Sequence, residues 1–351
     1  MRRSLVLGIT LLLALGPTLA FAAGEFVRPW RDRNNALVVD AYVYTEFDWH
    51  KLVSNKQLVA FISKASDGRI TSANCWRGPR QKRKLCLAKW RRYVATRQLY
   101  RTRRVLAKAL GLKWGSYHLA RPGDPILQAQ HYLRYADPQP DELMALDIED
   151  NDPEKWMSLA DAERFARFVR RKTGRLPVLY TNHSTAQSIA RQRDRYPTLA
   201  RMNLWYARYK EDIRGAFPMG LWRSYAIWQF QAKTNCRRRC AVRLKGTDKW
   251  MDVNVVAMTP DALREAWPLD EPLAARPDPK LVNAQTTATL VAAGPRRTGK
   301  KFEIISRMER AGFPSIERMP LPKLSPQDPL YPVLNESDGV GLVFRRERAR
   351  R

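Results

Sequence analysis

The sequence predicts an α/β fold in which mainly parallel strands close into a barrel. Short runs of β-branched and apolar residues alternate with helical segments in the first half of the chain and crowd together in the second half. Such alternation is typical of parallel sheets. About eight short strands, several finishing in polar residues, favour a barrel over an open sheet, because barrel active sites collect at the carboxyl ends of strands.

The predicted elements follow in order along the chain. We predict strands at 36–44, 57–68, 113–121, 142–150, 175–184, 203–209, 225–231 and 250–256, and helices at about 93–111, 125–136 and 158–174. The last of these helices has Ser158 as a candidate N-cap and Gly174 as a candidate C-cap. No strand is followed by the glycine-rich loop of dinucleotide-binding proteins.

The two ends of the chain differ in composition from its middle. Residues 1–22 combine Arg2 and Arg3, an apolar run and small residues up to Ala22, which predicts a signal peptide cleaved near Ala22 and an exported protein, with an uncleaved membrane anchor as the alternative. Residues 23–35 are predicted to be a basic linker and 36–270 the barrel domain. Residues 271–351 hold ten of the 23 prolines, which predicts a basic, mostly disordered tail.

Four cysteines are compatible with two disulfide bonds in an exported protein. Their spacing favours two local bridges, Cys75–Cys86 and Cys236–Cys240, although the sequence leaves the other two pairings open. A zinc site would require tighter spacing within each pair.

The chain carries a net charge of +29, and its segment 77–104 has many Lys and Arg residues but no acid. Such a surface favours a polyanion, for which nucleic acid, anionic lipid and anionic cell-wall polymer all qualify. The alternative is a solvated helix face that only maintains solubility. No zinc-finger or RNA-recognition motif accompanies the segment, so no specific nucleic-acid partner is expected.

Two carboxylates, Asp147 and Glu149, end the apolar run that begins at Leu143. Side chains two apart in a strand point to the same face, and their Cα atoms lie about 7 Å apart. Paired carboxylates at this spacing suggest glycoside hydrolysis. The alternative is a strand that simply reaches solvent at this point.

Seven motifs in order resemble glycoside hydrolase family 25, the muramidases also called Chalaropsis-type lysozymes. They are VVDAYVYTEFDWHKL, AFISKASDG, WGSYHLARPGDPILQAQHYL, MALDIED, LPVLYTN, AIWQF and MDVNVV, and together they span residues 36 to about 258. Departures include Asp67 where glutamate is usual and the basic stretch with two cysteines within 69–98. These departures concern substrate details more than the reaction, because all four family acids are present.

The resemblance implies an irregular, TIM-like (β/α) barrel of eight strands with fewer helices. It implies cleavage of the β-1,4 bond between N-acetylmuramic acid and N-acetylglucosamine, without a cofactor or metal. Glu149 takes the position of the general acid and Asp147 that of its partner carboxylate, while Asp40 and Asp252 take those of the flanking acids. We expect a monomer that acts on peptidoglycan and binds anionic cell-wall surface through its basic segment.

Further residues at or near strand ends are candidates for substrate contact: Lys64, Tyr117, His118, Tyr180, Trp205, Trp228 and Gln229. Core packing is the alternative for the aromatic members, and His118 is expected to be a hydrogen-bond partner rather than an acid or base. A chitinase-like active site is disfavoured, because Glu142 and Ala145 stand where that motif has aspartates. The remaining alternative is a weakly active or inactive basic barrel that binds a polyanion.

Overall fold

The computed structural model describes residues 25–270, except residues 44, 72–74, 76–77, 237–238 and 248–249. Eight strands close into one barrel in chain order. They are β1 (Ala36–Ala41), β2 (Leu58–Asp67), β3 (Lys113–Leu119), β4 (Leu143–Ile148), β5 (Val178–Asn182), β6 (Leu204–Ala207), β7 (Ile227–Gln231) and β8 (Asp252–Val256). Each lies within one of the eight predicted strands, so the barrel prediction is confirmed.

The direction of the last strand differs from the rest. Strands β1 to β7 pair parallel to one another in sequence, whereas β8 pairs antiparallel with both β7 and β1. A strand that runs the opposite way begins where its neighbours end. Asp252, the first residue of β8, therefore lies at the same end of the barrel as the carboxyl ends of β1 to β7.

Two apolar layers hold the barrel together. Val38, Ile62 and Ala145 belong to the cluster that fills its interior. Their strand neighbours Val39 and Phe61 belong to the second cluster, between the barrel wall and the helices. Alternate residues of a strand face opposite sides of the sheet, so one strand supplies both layers.

Six α-helices accompany the strands among the described residues: α1 (Trp49–Leu52), α2 (Arg80–Ala109), α3 (Pro125–Ala136), α4 (Leu159–Thr173), α5 (His183–Arg191) and α6 (Pro260–Ala266). The predicted caps of α4 are confirmed, because the Ser158 side chain accepts from the backbone N–H of Asp161 and Gly174 adopts φ 77°. Helix α5 was not predicted, and it begins inside a predicted strand. The Asn182 side chain starts this helix by accepting from the backbone N–H of Thr185.

Helix α2 begins well before the predicted start at residue 93. Its first half is largely exposed, and its fully buried residues appear only from Leu99 onward. Sequence periodicity detects a buried apolar stripe, and the first half of α2 has none. The disulfide bond Cys75–Cys86, with a Cα–Cα distance of 5.4 Å, ties this half to the preceding loop.

Both predicted disulfide pairings are confirmed. The second bridge, Cys236–Cys240, has a Cα–Cα distance of 4.5 Å and lies in the loop between β7 and β8. Each bridge connects residues close in sequence, so each restrains a single loop.

The described part of the predicted linker, residues 23–35, packs against the barrel, which the linker prediction did not anticipate. Phe26 and Trp30 are buried, and Trp30 stacks on Phe230 with ring centroids 4.1 Å apart. Two large aromatic side chains stabilise this segment against the barrel, despite its basic composition. The predicted signal peptide (1–22) and tail (271–351) lie outside the described residues. Within the described ranges, no helix is both long and apolar enough to cross a membrane.

Candidate active site

Four acids occupy the end of the barrel at which β1 to β7 finish. Asp40 and Asp252 are directly paired across β1 and β8. Asp147 lies near the end of β4, and Glu149 follows that strand directly. The negative charges of Glu149 and Asp40 both act on Asp147, and those of Asp40 and Glu149 act on Asp252. The structure thus brings together the four acids that the family resemblance selected.

Asp40 is held by two amide side chains inside the barrel. Its Oδ1 accepts from Asn254 Nδ2 at 2.7 Å and from Gln229 Nε2 at 3.0 Å. Gln229 Oε1 in turn accepts from the hydroxyl groups of Tyr180 at 2.9 Å and Tyr209 at 2.7 Å. With donors on one side and an acceptor on the other, Gln229 has a single amide orientation that satisfies all three contacts.

Burial raises the pKa of every one of the four acids. It raises the pKa of Asp40 to about 6, although the hydrogen bonds from Asn254 and Gln229 oppose the rise. It raises the pKa of Glu149 to about 7 against the positive charges of Arg121 and Lys64. Desolvation disfavours the charged form of a carboxyl group, and neighbouring negative charge adds to that effect.

The pKa of Asp147 is raised together with that of Glu149. Burial, followed by the charges of Glu149 and Asp40, raises the pKa of Asp147 well above its usual value. Its Oδ1 is also buried without a hydrogen-bond partner among the described residues. The two carboxyl groups of β4 therefore titrate as a coupled pair, and Asp147 has an unsatisfied oxygen.

Two cations balance part of this negative charge. Lys64 is buried, its Nζ contacts Asp67 Oδ2 at 2.9 Å, and it lies 4.6 Å from the centre of the Tyr42 ring. Although burial acts in the opposite direction, the charge and hydrogen bond of Lys64 lower the pKa of Asp67 to about 2. Lys64 therefore pairs with an acid instead of extending into solvent.

The second cation is Arg121, two residues beyond the end of β3. Its guanidinium group lies 4.1 Å from the ring centre of Trp156, and its positive charge lowers the pKa of both Asp147 and Glu149. The cation–π contact fixes the guanidinium group beside the acid pair.

An open cleft of about 420 Å³ adjoins Glu149. It is lined by Glu149, Tyr180, Asn182, His183, Ser184, Ala207, Arg208, Tyr209 and Lys210. Most of these residues end or follow β5 and β6. Tyr180 is only partly buried, so one of the predicted sugar-contact residues does face this cleft.

Two other predicted aromatic residues lie deeper at the same end. Tyr117 is buried close enough to Asp147 and Asp40 for their charges to raise its pKa further, after burial itself. Trp205 is almost fully buried inside the barrel, where its Nε1 donates to Asn254 Oδ1 at 2.6 Å. Trp205 therefore holds Asn254, which donates to Asp40, and its buried ring is not available to stack on a sugar.

The structure does not bring His118 or Trp228 into the cleft. His118 is fully buried between the barrel wall and the helices, with its ring nitrogens 2.9 Å from Ser66 Oγ and 3.1 Å from Gln128 Oε1. Trp228 is fully buried on the outer side of β7 and donates to the Arg208 backbone carbonyl. Their strand neighbours, Tyr117 and Gln229, occupy the inward positions, because side chains alternate along a strand.

Three residues of the site were missing from the predicted set: Arg121, Tyr209 and Asn254. The available signal was position, since Arg121 lies two residues beyond β3 and Tyr209 two residues beyond β6. Asn254 lies in the middle of β8. Its role as a donor to Asp40 depends on the pairing of β8 with β1, which the sequence does not specify.

The sequence model of the family described as "Glycosyl hydrolases family 25" matches residues 94–237. That range contains β3 to β7 and hence Asp147 and Glu149, whereas Asp40 and Asp252 lie outside it. No curated protein matches the chain.

Among solved structures, the chain is similar to a muramidase from Acremonium alcalophilum, with 20% identity, 65% of this chain and 97% of that chain covered, and a TM-score of 0.46. It is also similar to a bacterial lysozyme from Streptomyces coelicolor, with 18% identity, 68% and 98% covered, and a TM-score of 0.47. For a family GH25 lysozyme from Aspergillus fumigatus the values are 19%, 68%, 99% and 0.42. The match to the family model over residues 94–237 confirms the resemblance to glycoside hydrolase family 25 that the motifs predicted.

Proposed function

We propose that the protein is a muramidase that cleaves the β-1,4 bond between N-acetylmuramic acid and N-acetylglucosamine in peptidoglycan. The observation that carries this proposal is the coupled pair on β4. Glu149 faces the cleft with a pKa of about 7, and the neighbouring Asp147 has a buried oxygen without a partner. Glycosidic cleavage requires a proton donor on one side of the bond and stabilisation of positive charge at the sugar carbon.

Glu149 is the general acid. A carboxyl group with a pKa near 7 still holds its proton at neutral pH and can deliver it to the leaving oxygen. The C–O bond breaks as that oxygen takes the proton, and Glu149 becomes a carboxylate. The charges of Arg121 and Lys64 stabilise that carboxylate, because both favour its ionised form.

Asp147 positions the acetamido group of the muramyl residue. Its unpartnered Oδ1 is a suitable acceptor for the amide N–H of that group. The acetamido carbonyl oxygen then attacks the anomeric carbon and forms a cyclic oxazolinium intermediate. Water opens this ring and gives a proton to Glu149, which restores the enzyme. This substrate-assisted route predicts retention of configuration at the anomeric carbon.

Asp40 and Asp252 supply negative charge facing the cationic sugar carbon. Asp40 receives two amide hydrogen bonds, which favour its ionised form, and the Gln229 link to Tyr180 and Tyr209 keeps it in place. An oxocarbenium-like transition state develops positive charge, so nearby carboxylates lower its free energy more than that of the neutral substrate.

The proposal includes an exported enzyme that binds the wall through its basic helix. Two disulfide bonds fit an oxidising compartment. The exposed first half of α2 carries seven Lys or Arg residues from Arg80 to Arg92, and peptidoglycan carries carboxylates on its stem peptides. Electrostatic attraction would raise the encounter rate, less so at high salt.

The test is incubation of the purified protein with peptidoglycan, followed by mass analysis of the released reducing ends and proton NMR of the new anomeric centre. We expect muramic acid at the reducing ends with retained configuration. Glucosamine reducing ends would overturn the bond assignment, and inverted configuration would overturn the substrate-assisted route. Binding to peptidoglycan without any cleavage would favour the alternative of an inactive polyanion-binding barrel.

A further inference from the structure

One side of the cleft beside Glu149 is built to receive an anion. Arg208 and Lys210, the second and fourth residues of the segment that leaves β6 at Ala207, both line it. The N-terminus of α5 forms part of the same wall, through His183 and Ser184. The first N–H groups of a helix have no partner within the helix, and its dipole favours negative charge there.

The two cations are not neutralised within the described part of the protein. Neither Arg208 nor Lys210 forms a salt bridge there. The Arg208 Nε atom is also buried without a hydrogen-bond partner among those residues. A buried N–H of a guanidinium group without an acceptor is costly, so the protein alone does not satisfy the Arg208 side chain.

The backbone of Arg208 is fixed. Its N–H donates to the Gln229 carbonyl at 3.1 Å, and its own carbonyl accepts from Trp228 Nε1 at 2.7 Å. The same Gln229 holds Asp40 through its side chain. Strand β7, which carries Gln229, therefore fixes the backbone of Arg208 relative to Asp40.

The other ionisable groups that line this wall do not neutralise Arg208 and Lys210. Burial and the charge of Arg208 lower the pKa of His183, whose Nδ1 lies 2.8 Å from the Tyr206 hydroxyl, so its ring is neutral at pH 7. Asp150, an exposed acid that accepts from Asn182 Nδ2 at 3.1 Å, lies near this wall but is not part of the lining. Glu149 is the acid of the lining, and it must be protonated when the substrate binds.

We propose that Arg208 and Lys210 form a subsite for a carboxylate on the muramyl side chain, so that the enzyme selects acid-bearing peptidoglycan over neutral glycan. The inference rests on the proposed muramidase function and adds to it the substrate group that the enzyme recognises. Such a carboxylate has two sources: the lactyl group of a peptide-free muramyl residue, or the stem peptide attached to that group. A planar guanidinium can bind either one through two parallel N–H donors.

The experiment compares the double variant Arg208→Gln/Lys210→Gln with the parent on three soluble glycans. The first bears stem peptides, the second bears the same peptides with all carboxylates amidated, and the third is peptide-free with lactyl carboxylates. We expect KM to rise about tenfold, with kcat within twofold, on the glycan that bears the recognised carboxylate, and KM on the second to be the same for variant and parent. A rise on the first alone identifies the stem peptide as the ligand, and a rise on the third alone identifies the lactyl carboxylate.

The control variant Arg193→Gln/Arg201→Gln makes the same charge change at exposed positions outside the cleft and should behave as the parent. Arg208→Lys keeps the positive charge, so its KM should stay close to that of the parent. A thermal melt of the same variant shows whether the substitution affects folding. A direct readout is calorimetric binding of a soluble muramyl dipeptide, which has no bond to cleave and so is measurable even if the protein is not a muramidase. Equal KM changes on all three glycans, or no KM change on either the first or the third, would overturn the subsite. Dipeptide binding should weaken in the double variant if the stem peptide is the ligand.

Discussion

Asp40 of β1 and Asp252 of β8 stand directly opposite each other in an antiparallel strand pair. Like charges facing each other across a pair destabilise a sheet, and here loss of hydration raises both pKa values, with Asp40 buried and Asp252 partly buried. The fold tolerates this arrangement at the open end of the barrel, beside the acid pair of β4. A feature that costs stability at such a place indicates a functional site.

Glu149→Gln keeps the shape of the side chain but removes the transferable proton. We expect kcat on peptidoglycan to fall by about 10²–10⁴, the usual contribution of a general acid, while wall binding and the melting temperature stay close to those of the parent. Turbidity clearing measured beside thermal melts gives the answer. Glu154→Gln, the same change at an exposed site, is the control, and parental clearing by Glu149→Gln would exclude the assigned acid.

Asp147→Asn removes the acceptor charge that is proposed to hold the substrate amide. We expect a severe loss of kcat together with a higher melting temperature near pH 7, because a buried carboxyl group with an unpartnered oxygen is replaced by a neutral amide. Calorimetric melts and reducing-end assays on the same preparations measure both effects. Activity equal to the parent would show that Asp147 takes no part in the reaction.

The activity should depend on the protonation of Glu149. Since the acid must hold its proton and its pKa is about 7, kcat/KM should fall tenfold per unit as the pH rises above about 7. Arg121→Gln removes a positive charge that lowers this pKa, so it should move the falling limb to higher pH. A limb at the same pH in parent and variant would show that another group controls it.

Stability should fall as the pH rises through the window in which Asp40 ionises. Its pKa is 3.8 when unperturbed and about 6 in the folded protein, so the folded state binds the proton more tightly. The favourable contribution is complete below pH 4 and is lost by about pH 6, amounting to about 3 kcal/mol at about 1.4 kcal/mol per pKa unit.

Urea unfolding of the parent and of Asp40→Asn between pH 4 and pH 8 measures this contribution. The variant should gain stability over the parent as the pH rises to about 6, with no further change above pH 7. Asp194→Asn, at an exposed position, is the matched control. A constant difference across the whole range would mean that Asp40 has an ordinary pKa.

The basic first half of α2 should govern wall binding rather than bond cleavage. Charge reversal of Arg80, Arg83 and Lys84, all exposed, should weaken sedimentation with peptidoglycan sacculi and flatten its salt dependence, because fewer ions are displaced on binding. Turnover of a short soluble glycan should be unchanged.

The matched control reverses the exposed Arg167, Arg171 and Arg193, which lie outside α2. An equal loss on the short glycan for the α2 variant would place that helix in the catalytic cleft instead. An equal loss of sacculus binding for the control would show that net charge, not the α2 surface, attracts the wall.

The sequence by itself determined the eight strands, their order, and the position of the acid pair after an apolar run. These features depend on local patterns: apolar runs of strand length, polar residues at their ends, and caps such as Ser158 and Gly174. Local cysteine spacing likewise favoured the two disulfide bonds that the structure contains. The motifs then pointed to family 25, whose model matches the middle of the chain.

Only the tertiary structure decided which face of each strand looks into the barrel. Tyr117 and Gln229 point inward, whereas the equally plausible His118 and Trp228 point outward. Alternation along a strand requires neighbouring side chains to face opposite sides, but packing against the helices determines which of them faces inward. The reversal of β8, the link from Gln229 to Asp40, and the position of Arg208 in the cleft depend in the same way on contacts between residues far apart in the sequence. A sequence pattern records the spacing within one segment, and such contacts form only when the barrel closes.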